Sequence, residues 1–95
     1  MASDIDQVTI TYEEDGIEVV KELDKEVLTK GAWATIIFKY QDWNNAKQEY
    51  SPVKYSIRRY RKFGDNYSQQ SKFNISSDKQ AQQLIDVLSK WMKED

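Results

Sequence analysis

The sequence predicts an α+β protein with a curved antiparallel sheet of four core strands, preceded by an N-terminal β-hairpin and followed by one amphipathic helix. Apolar and polar residues alternate in several stretches, as they do in half-buried strands. Turn-forming residues separate these stretches, and the end of the chain repeats apolar side chains at the helical period instead. The 95 residues, 39% hydrophobic and 32% charged, suffice for one globular domain that would gain stability in a homodimer.

The first two strands are predicted to form the hairpin. Residues 7–12 alternate valine, isoleucine and tyrosine with glutamine and threonine, which is the pattern of a strand with one buried face. The Asp15-Gly16 pair tolerates the positive φ angles of a two-residue turn. Residues 17–23 can therefore return antiparallel to the first strand, with Ile17 and Val19 facing the core.

The first core strand is also the most apolar one. It is predicted over residues 32–40, with Ala34, Ile36 and Phe38 on one face and a partly covered second face. Residues 41–52 contain two adjacent asparagines and the sole proline, which predict a long loop.

Two further strands are predicted over residues 53–63 and 67–76, joined by a tight turn at residues 64–66. In the second of them, Phe73 and Ile75 are predicted to face the core. In the first, alternation divides the side chains between two faces. Those predicted to point away from the core are Lys54, Ser56, Arg58, Tyr60 and Lys62.

One helix is predicted to begin at Ser77. The spacing of Ser77 and Gln80 is that of a capping box, in which each side chain accepts a hydrogen bond from a backbone N–H near the other. An apolar stripe follows at the helical period. Its members are Ala81, Leu84, Ile85, Leu88, Trp91 and Met92. This stripe must be buried against the sheet, against a partner, or against both.

Charge is unevenly distributed along the chain. Residues 1–29 have a net charge of −7, residues 30–72 of +6 and residues 73–95 of −1. We therefore divide the chain into an acidic hairpin extension, residues 1–29, and a candidate nucleic-acid-binding domain, residues 30–95. For the acidic part, two interpretations stand: a solvated hairpin, or a segment that covers the basic surface when nucleic acid is absent.

The basic middle of the chain also holds most of its aromatic residues, and this combination suits single-stranded DNA or RNA. Phosphates attract ammonium and guanidinium groups, and unpaired bases stack on aromatic rings. Arg58, Tyr60 and Lys62 are predicted to share one face of a strand. With Lys39 and Trp33 on a neighbouring strand, they would form one basic and aromatic surface.

Several classes of function are not expected. The chain has no histidine and no cysteine, so the commonest general base, metal ligand and nucleophile pairs are missing. Its three glycines have no phosphate-loop spacing. We expect no enzyme, no cofactor, no metal and no small-molecule substrate. The sequence shows no apolar run long enough for a membrane span and no signal-peptide pattern, so we expect a cytoplasmic protein.

Four short stretches carry a resemblance to a known family. They are Lys-Gly-Ala-Trp at residues 30–33, Trp-Asn at 43–44, Lys-Tyr-Ser-Ile-Arg-Arg-Tyr at 54–60 and Ser-Lys-Phe-Asn-Ile-Ser at 71–76. In this order they resemble the C-terminal domain of transcriptional positive cofactor four and its bacterial YdbC-like relatives.

The resemblance implies a homodimer whose sheets form a basic groove for single-stranded DNA, with the helices helping to pair the subunits. It implies Arg58, Tyr60 and Lys72 as binding residues, followed by Lys30 and Trp33. The chain departs from the family pattern at Asn74, where a glycine is usual, and in its acidic hairpin, which has no counterpart in the family.

An alternative function is a protein-interaction module. In that case Trp33, Trp43 and the sheet face would dock a peptide or another subunit, and the charges would steer the encounter.

Overall fold

The computed structural model describes residues 5–93, which form six β-strands and one α-helix after a short 3-10 helix at Ile5–Gln7. The elements are β1 (Tyr12–Glu14), β2 (Ile17–Thr29), β3 (Trp33–Asn44), β4 (Glu49–Tyr50), β5 (Lys54–Phe63), β6 (Asn66–Ile75) and α1 (Asp78–Met92). The predicted regions extend to residues 1–4 and 94–95, which lie outside the described residues.

All neighbouring strands pair antiparallel. The order across the sheet is β1-β2-β3-β5-β6, and β4 pairs with the end of β3. The sheet curls into a half-barrel, and the chain ends in one helix. The predicted architecture of a curved antiparallel sheet followed by a C-terminal helix is therefore confirmed.

The predicted hairpin turn is confirmed, but the face that its second strand buries is not. Asp15 and Gly16 have φ angles of 52° and 81°, as a two-residue turn with two left-handed residues requires. Ile17, predicted to face the core, is 37% exposed. Val20 and Val27 pack against the core instead. Val20 is opposite Asp42, which lies on the buried side of β3, so Ile17 points to the other side. A register irregularity between Glu22 and Asp24 then lets Val27, at an odd position, face the same side as Val20.

The core lies on one face of the sheet, which we call the core face. On β3 it carries Ala34, Ile36 and Phe38, which are fully buried. The opposite face, against which α1 lies, we call the helix face. In the β3–β5 register, Phe38 is opposite Ser56 and Ala34 is opposite Tyr60, so Ser56 and Tyr60 belong to the core face. The prediction that they point away from the core is wrong.

Residues 5–11, the N-terminal segment, cover this core face. Val8 and Ile10 are buried against β3 and Tyr60, so their predicted burial is correct. The backbone of residues 8–11, however, has no strand pairing, and the strand predicted there is wrong. Alternating apolar residues serve a covering segment as well as a strand, because an extended chain presents every second side chain to the same side.

Two side chains of β2 hold the N-terminal segment in place. The Lys25 ammonium donates hydrogen bonds to the backbone carbonyls of Asp6 (2.7 Å) and Val8 (2.5 Å). The Glu22 carboxylate accepts a hydrogen bond from the Thr9 hydroxyl (2.7 Å). The backbone of the segment, which joins no strand ladder over residues 8–11, thus finds partners in side chains, as buried polar groups must.

The loop predicted over residues 41–52 is largely replaced by a second hairpin. β3 continues to Asn44, and β4 returns after a turn at residues 45–48. The Trp43 ring meets the Tyr50 ring edge-on at 5.0 Å between centroids. The Tyr50 hydroxyl donates to the Glu18 carbonyl (2.9 Å), which ties the hairpin to β2.

The helix begins as the capping pattern predicts. The Gln80 N–H donates to the Ser77 hydroxyl (3.2 Å), although the Gln80 side chain accepts from the Ser76 N–H (2.8 Å) rather than from Ser77. The Tyr55 hydroxyl donates to the Asp78 carboxylate (2.7 Å) and holds the first turn of α1 on the sheet. Among residues 5–93, no helix combines the length and the apolarity needed to cross a bilayer.

We predict that the N-terminal segment contributes strongly to stability. Replacing Ile10, which is 8% exposed, by alanine should lower the free energy of unfolding by about 2–5 kcal/mol, because it leaves a cavity over β3. The control, Ile17→Ala, removes the same atoms from a side chain that is 37% exposed and should cost about 1 kcal/mol or less. Urea unfolding measures both, and equal losses would show that residues 5–11 do not seal the core.

Candidate nucleic-acid interface

The residues predicted to bind nucleic acid fall on both faces of the sheet. In the β3–β5 register, Trp33 is opposite Arg61 and Lys39 is opposite Tyr55, which places Trp33 and Lys39 on the helix face. Arg58 is opposite Ile36 and therefore lies on the core face, whereas Arg61 lies on the helix face. The prediction that Trp33 and Lys39 share one surface with Arg58 is therefore wrong. The predicted residues therefore do not all lie on one face of the sheet.

The core face holds the remaining predicted strand residues. They are Arg58, Tyr60, Lys62 and Lys72. Lys62 and Lys72 are exposed, and Lys72 is directly opposite Arg58 on the neighbouring strand. Tyr60 is only 5% exposed because the N-terminal segment covers it, so its ring does not present a surface for stacking.

Basic and aromatic side chains nevertheless meet at one end of the sheet, where the turns β2–β3 and β5–β6 lie. We call this the basic end. Its members are Lys30, Trp33, Arg59, Arg61, Lys62 and Phe63. Three of them belong to the predicted set. Successive side chains of a strand point to opposite faces, so this end carries cations on both sides of the sheet.

Trp33 is the centre of the basic end on the helix face. The guanidinium carbons of Arg59 and Arg61 lie 4.7 Å and 5.3 Å from the centroid of its ring. Arg61 also lies 5.4 Å from the Phe63 ring. The side chains of Trp33 and Phe63 are 42% and 54% exposed. Cation–π contacts thus place two guanidinium groups over the Trp33 ring, and solvent reaches the remaining ring surface.

On the core face the basic end continues with Lys62, whose ammonium lies 5.8 Å from the Tyr67 ring. The Tyr67 hydroxyl donates to the Gly31 carbonyl (3.1 Å), which joins the two turns of this end. Lys30, at the start of the β2–β3 turn, is exposed beside them. Lys39 is not part of this end, since six residues of strand put it about 20 Å from Trp33.

Arg58 lies deeper on the core face and has a fixed side chain. Its Nε donates to the buried Ser56 hydroxyl (3.0 Å), and its Nη1 donates to Gln69 Oε1 (3.0 Å). Its guanidinium lies 5.9 Å from the Phe38 ring. Arg58 is half-buried and has no carboxylate partner among residues 5–93.

The cations of the basic end are also without carboxylate partners, since Lys54–Asp42 is the sole ion pair within the described part of the chain. Carboxylates gather at the other end of the sheet, the acidic end, around the turns at residues 15–16 and 45–48. They are Glu13, Glu14, Asp15, Glu18 and Glu49. The 12 residues of β3 put about 36 Å between the two ends. The carboxylates of the first turn, Glu13, Glu14 and Asp15, therefore lie far from the basic end. The interpretation that the acidic extension of residues 1–29 covers the basic surface stays a prediction.

The sequence did not point to every residue of this interface. Arg59, Arg61 and Phe63 occupy the positions that alternate with the predicted residues of β5. Only the pairing of β5 with β3 shows that they surround Trp33. The signal was the density of cations at residues 58–62. Alternation divides such a run into two sets but does not say which set meets the indole.

Comparison with known proteins adds no relative to this description. No protein-family model matches the chain, and no curated protein or solved structure matches it either. The resemblance to the positive-cofactor-four domain stays a prediction from sequence motifs. The arrangement of side chains at the basic end is what supports a function.

We predict that buried tyrosines limit stability at high pH. Burial raises the pKa of Tyr60 above its ordinary value of 10.0, although the nearby Arg58 acts in the opposite direction. Burial likewise raises the pKa of Tyr40. The folded protein thus holds these protons more tightly than the unfolded chain, so its stability is full below pH 10 and falls as the pH rises above it.

Urea unfolding at a series of pH values measures this fall. Tyr60→Phe should make it shallower, since the phenylalanine has no proton to lose. Tyr12→Phe changes a side chain that is 57% exposed and is the matched control. An unchanged pH dependence in Tyr60→Phe would contradict the assignment.

Proposed function

We propose that the protein binds single-stranded DNA or RNA with little sequence preference, through the basic end of the sheet, and that it does so as a homodimer. The observation that carries this proposal is the exposed Trp33 ring with Arg59 and Arg61 fixed beside it. The resemblance of the sequence to the positive-cofactor-four domain supports the same function independently.

The chemistry of this arrangement suits an unpaired strand. Each base that stacks on an exposed ring contributes about 1–3 kcal/mol, and any base can do so because every base has a flat face. Guanidinium and ammonium groups bind the phosphates between the bases and release counterions. In a duplex the bases already stack on each other, so a ring on a sheet has no base face to meet.

The proposed path of the strand passes around the end of the sheet. It would stack on Trp33 and Phe63 on the helix face, pass the β5–β6 turn, and reach Lys62 on the core face. From there Lys72, next to Arg58 on β6, extends the line of cations. This path uses cations on both faces, which explains how residues on alternating positions of β5 can act on one ligand.

The homodimer rests on the apolar surface of α1. A groove between α1 and the helix face is lined almost entirely by apolar side chains: Ile37, Tyr55, Ile57, Phe73, Ile75, Ala81, Leu84, Ile85 and Leu88. Beyond it, Trp91 and Met92 are 62% and 77% exposed. Continuous apolar surface of this kind on a small domain is typical of a protein interface. We assign it to the second copy, whose helix carries the same stripe.

The same groove favours the second candidate, a protein-interaction module, if its occupant is another protein. The two candidates differ at the basic end. A protein that is only an interaction module would have no more affinity for oligonucleotides than other small acidic proteins have. Substituting Arg59 or Arg61 would then leave that affinity unchanged.

We predict that Arg61→Ala lowers the affinity for oligo(dT) about five- to tenfold at low salt, because it removes one phosphate contact and the cation–π contacts to Trp33 and Phe63. The plot of log affinity against log salt should lose about 0.7 from its slope. Fluorescence anisotropy of a labelled strand at several salt concentrations measures both. Lys47→Ala removes a cation from the acidic end and serves as the control. If the two variants behave alike, the basic end is not the binding surface.

We also predict that Leu88→Lys, which puts a charge into the apolar groove, converts the dimer to a monomer. Light scattering after size-exclusion chromatography measures the mass, and circular dichroism confirms that the sheet is retained. Gln83→Lys adds the same charge on an exposed part of α1 away from the groove and should leave the mass unchanged. A wild-type chain that is monomeric at all concentrations would overturn the proposed dimer.

A further inference from the structure

A second concave site lies on the core face, between the N-terminal segment and strands β5 and β6. One wall is formed by Gln7, Val8 and Thr9, and the other by Arg58, Tyr60, Tyr67 and Gln69. The cleft has a volume of about 560 Å³, within the range of about 300–1,000 Å³ that small-molecule sites occupy. The half-buried Tyr67 ring gives it aromatic surface beside its polar groups, so it suits more than a bare ion.

The hydrogen bonds around the cleft leave donors free on the β5–β6 wall. Gln69 Oε1 accepts from Arg58, so the Gln69 side chain turns its Nε2 group away from the guanidinium, and this group has no partner among residues 5–93. Arg58 has more N–H groups than its contacts with Ser56 and Gln69 use. The Tyr67 hydroxyl is committed to the Gly31 carbonyl. The wall therefore offers N–H donors rather than acceptors.

Charge adds to this bias. Arg58 is half-buried, it has no carboxylate partner in the described part of the chain, and Lys72 is directly opposite it on β6. Two like charges opposite each other destabilise a sheet, and a half-buried cation without a negative partner is costly. The hydrogen bonds to Ser56 and Gln69 hold the guanidinium in one orientation. An acceptor-rich ligand would relieve both costs.

We propose that this cleft receives one nucleobase of the bound strand and favours a base with a ring carbonyl, such as guanine, over adenine. This inference rests on the proposed function, and it adds one base-sensitive position to a strand that otherwise binds by charge and stacking. Arg58 and the Gln69 amide would donate to the carbonyl and ring nitrogen on the edge of guanine, which accepts at both positions. Adenine places an amino donor at the carbonyl position, where it would face donors.

The cleft also lies on the proposed path. Lys62, at the basic end, and Lys72 border it along β5 and β6, so a strand whose phosphates follow these cations passes its mouth. The N-terminal segment forms its far wall, which gives residues 7–9 a role in the site besides covering the core. A phosphate alone would use the cations but would leave the apolar walls without contact.

The test compares oligonucleotides of about 12 deoxyadenosines with the same strand carrying one central guanine, a length that one binding domain can span. The wild-type dimer should bind the guanine strand about five- to tenfold more tightly, the lower part of the range for a bidentate contact with a base. Gln69→Leu, at an exposed side chain, should remove this preference while the affinity for the adenine strand stays within about twofold. Gln70→Leu, the neighbouring glutamine that does not line the cleft, should keep the preference.

The outcomes separate the two proposals. If the protein binds neither strand, the proposed function and this inference are both overturned. If it binds both strands equally, the proposed function stands and base recognition is overturned. A preference for guanine that survives Gln69→Leu would also overturn the inference, because it would arise outside this cleft.

Discussion

The structure depends first on the register in which β3 and β5 pair. Residues directly opposite in an antiparallel pair share a face, so the pairing of Ile36 with Arg58 assigns every side chain of β5 at once. A shift by a single residue would exchange the two sets. Because β3 buries its core-facing residues completely, this register brings Tyr60 into the core and leaves Arg59 and Arg61 beside Trp33.

The register also explains why both faces of the sheet need a cover. The core face is closed by residues 5–11, which contribute buried apolar side chains and are held by Lys25 and Glu22. The helix face is closed in part by α1, whose first turn is tied to Tyr55. Neither cover extends to the turns at the basic end. The rings and cations there stay accessible to solvent because residues 5–11 and α1, which exclude water from the sheet, lie elsewhere.

Hairpin geometry turns the order of charges along the chain into a separation in space. Glu13, Glu14, Asp15 and Glu18 lie around the first turn, and β2 then carries the chain along the sheet to the opposite end, where Lys30 begins the basic stretch. Charges about 36 Å apart are screened from each other at physiological salt. A field with one positive end steers a polyanion toward that end.

The sequence by itself determined the elements: the alternating strands, the Asp15-Gly16 turn, the Ser77 cap, the stripe on α1 and the basic, aromatic middle of the chain. These features are local, since they depend on residues within a few positions of each other. The tertiary structure decided which alternating set is buried, that residues 8–11 cover the sheet instead of joining it, and which cations surround Trp33. Alternation sorts side chains into two sets but leaves open which set faces inward, and only pairing between strands far apart in the chain resolves that choice.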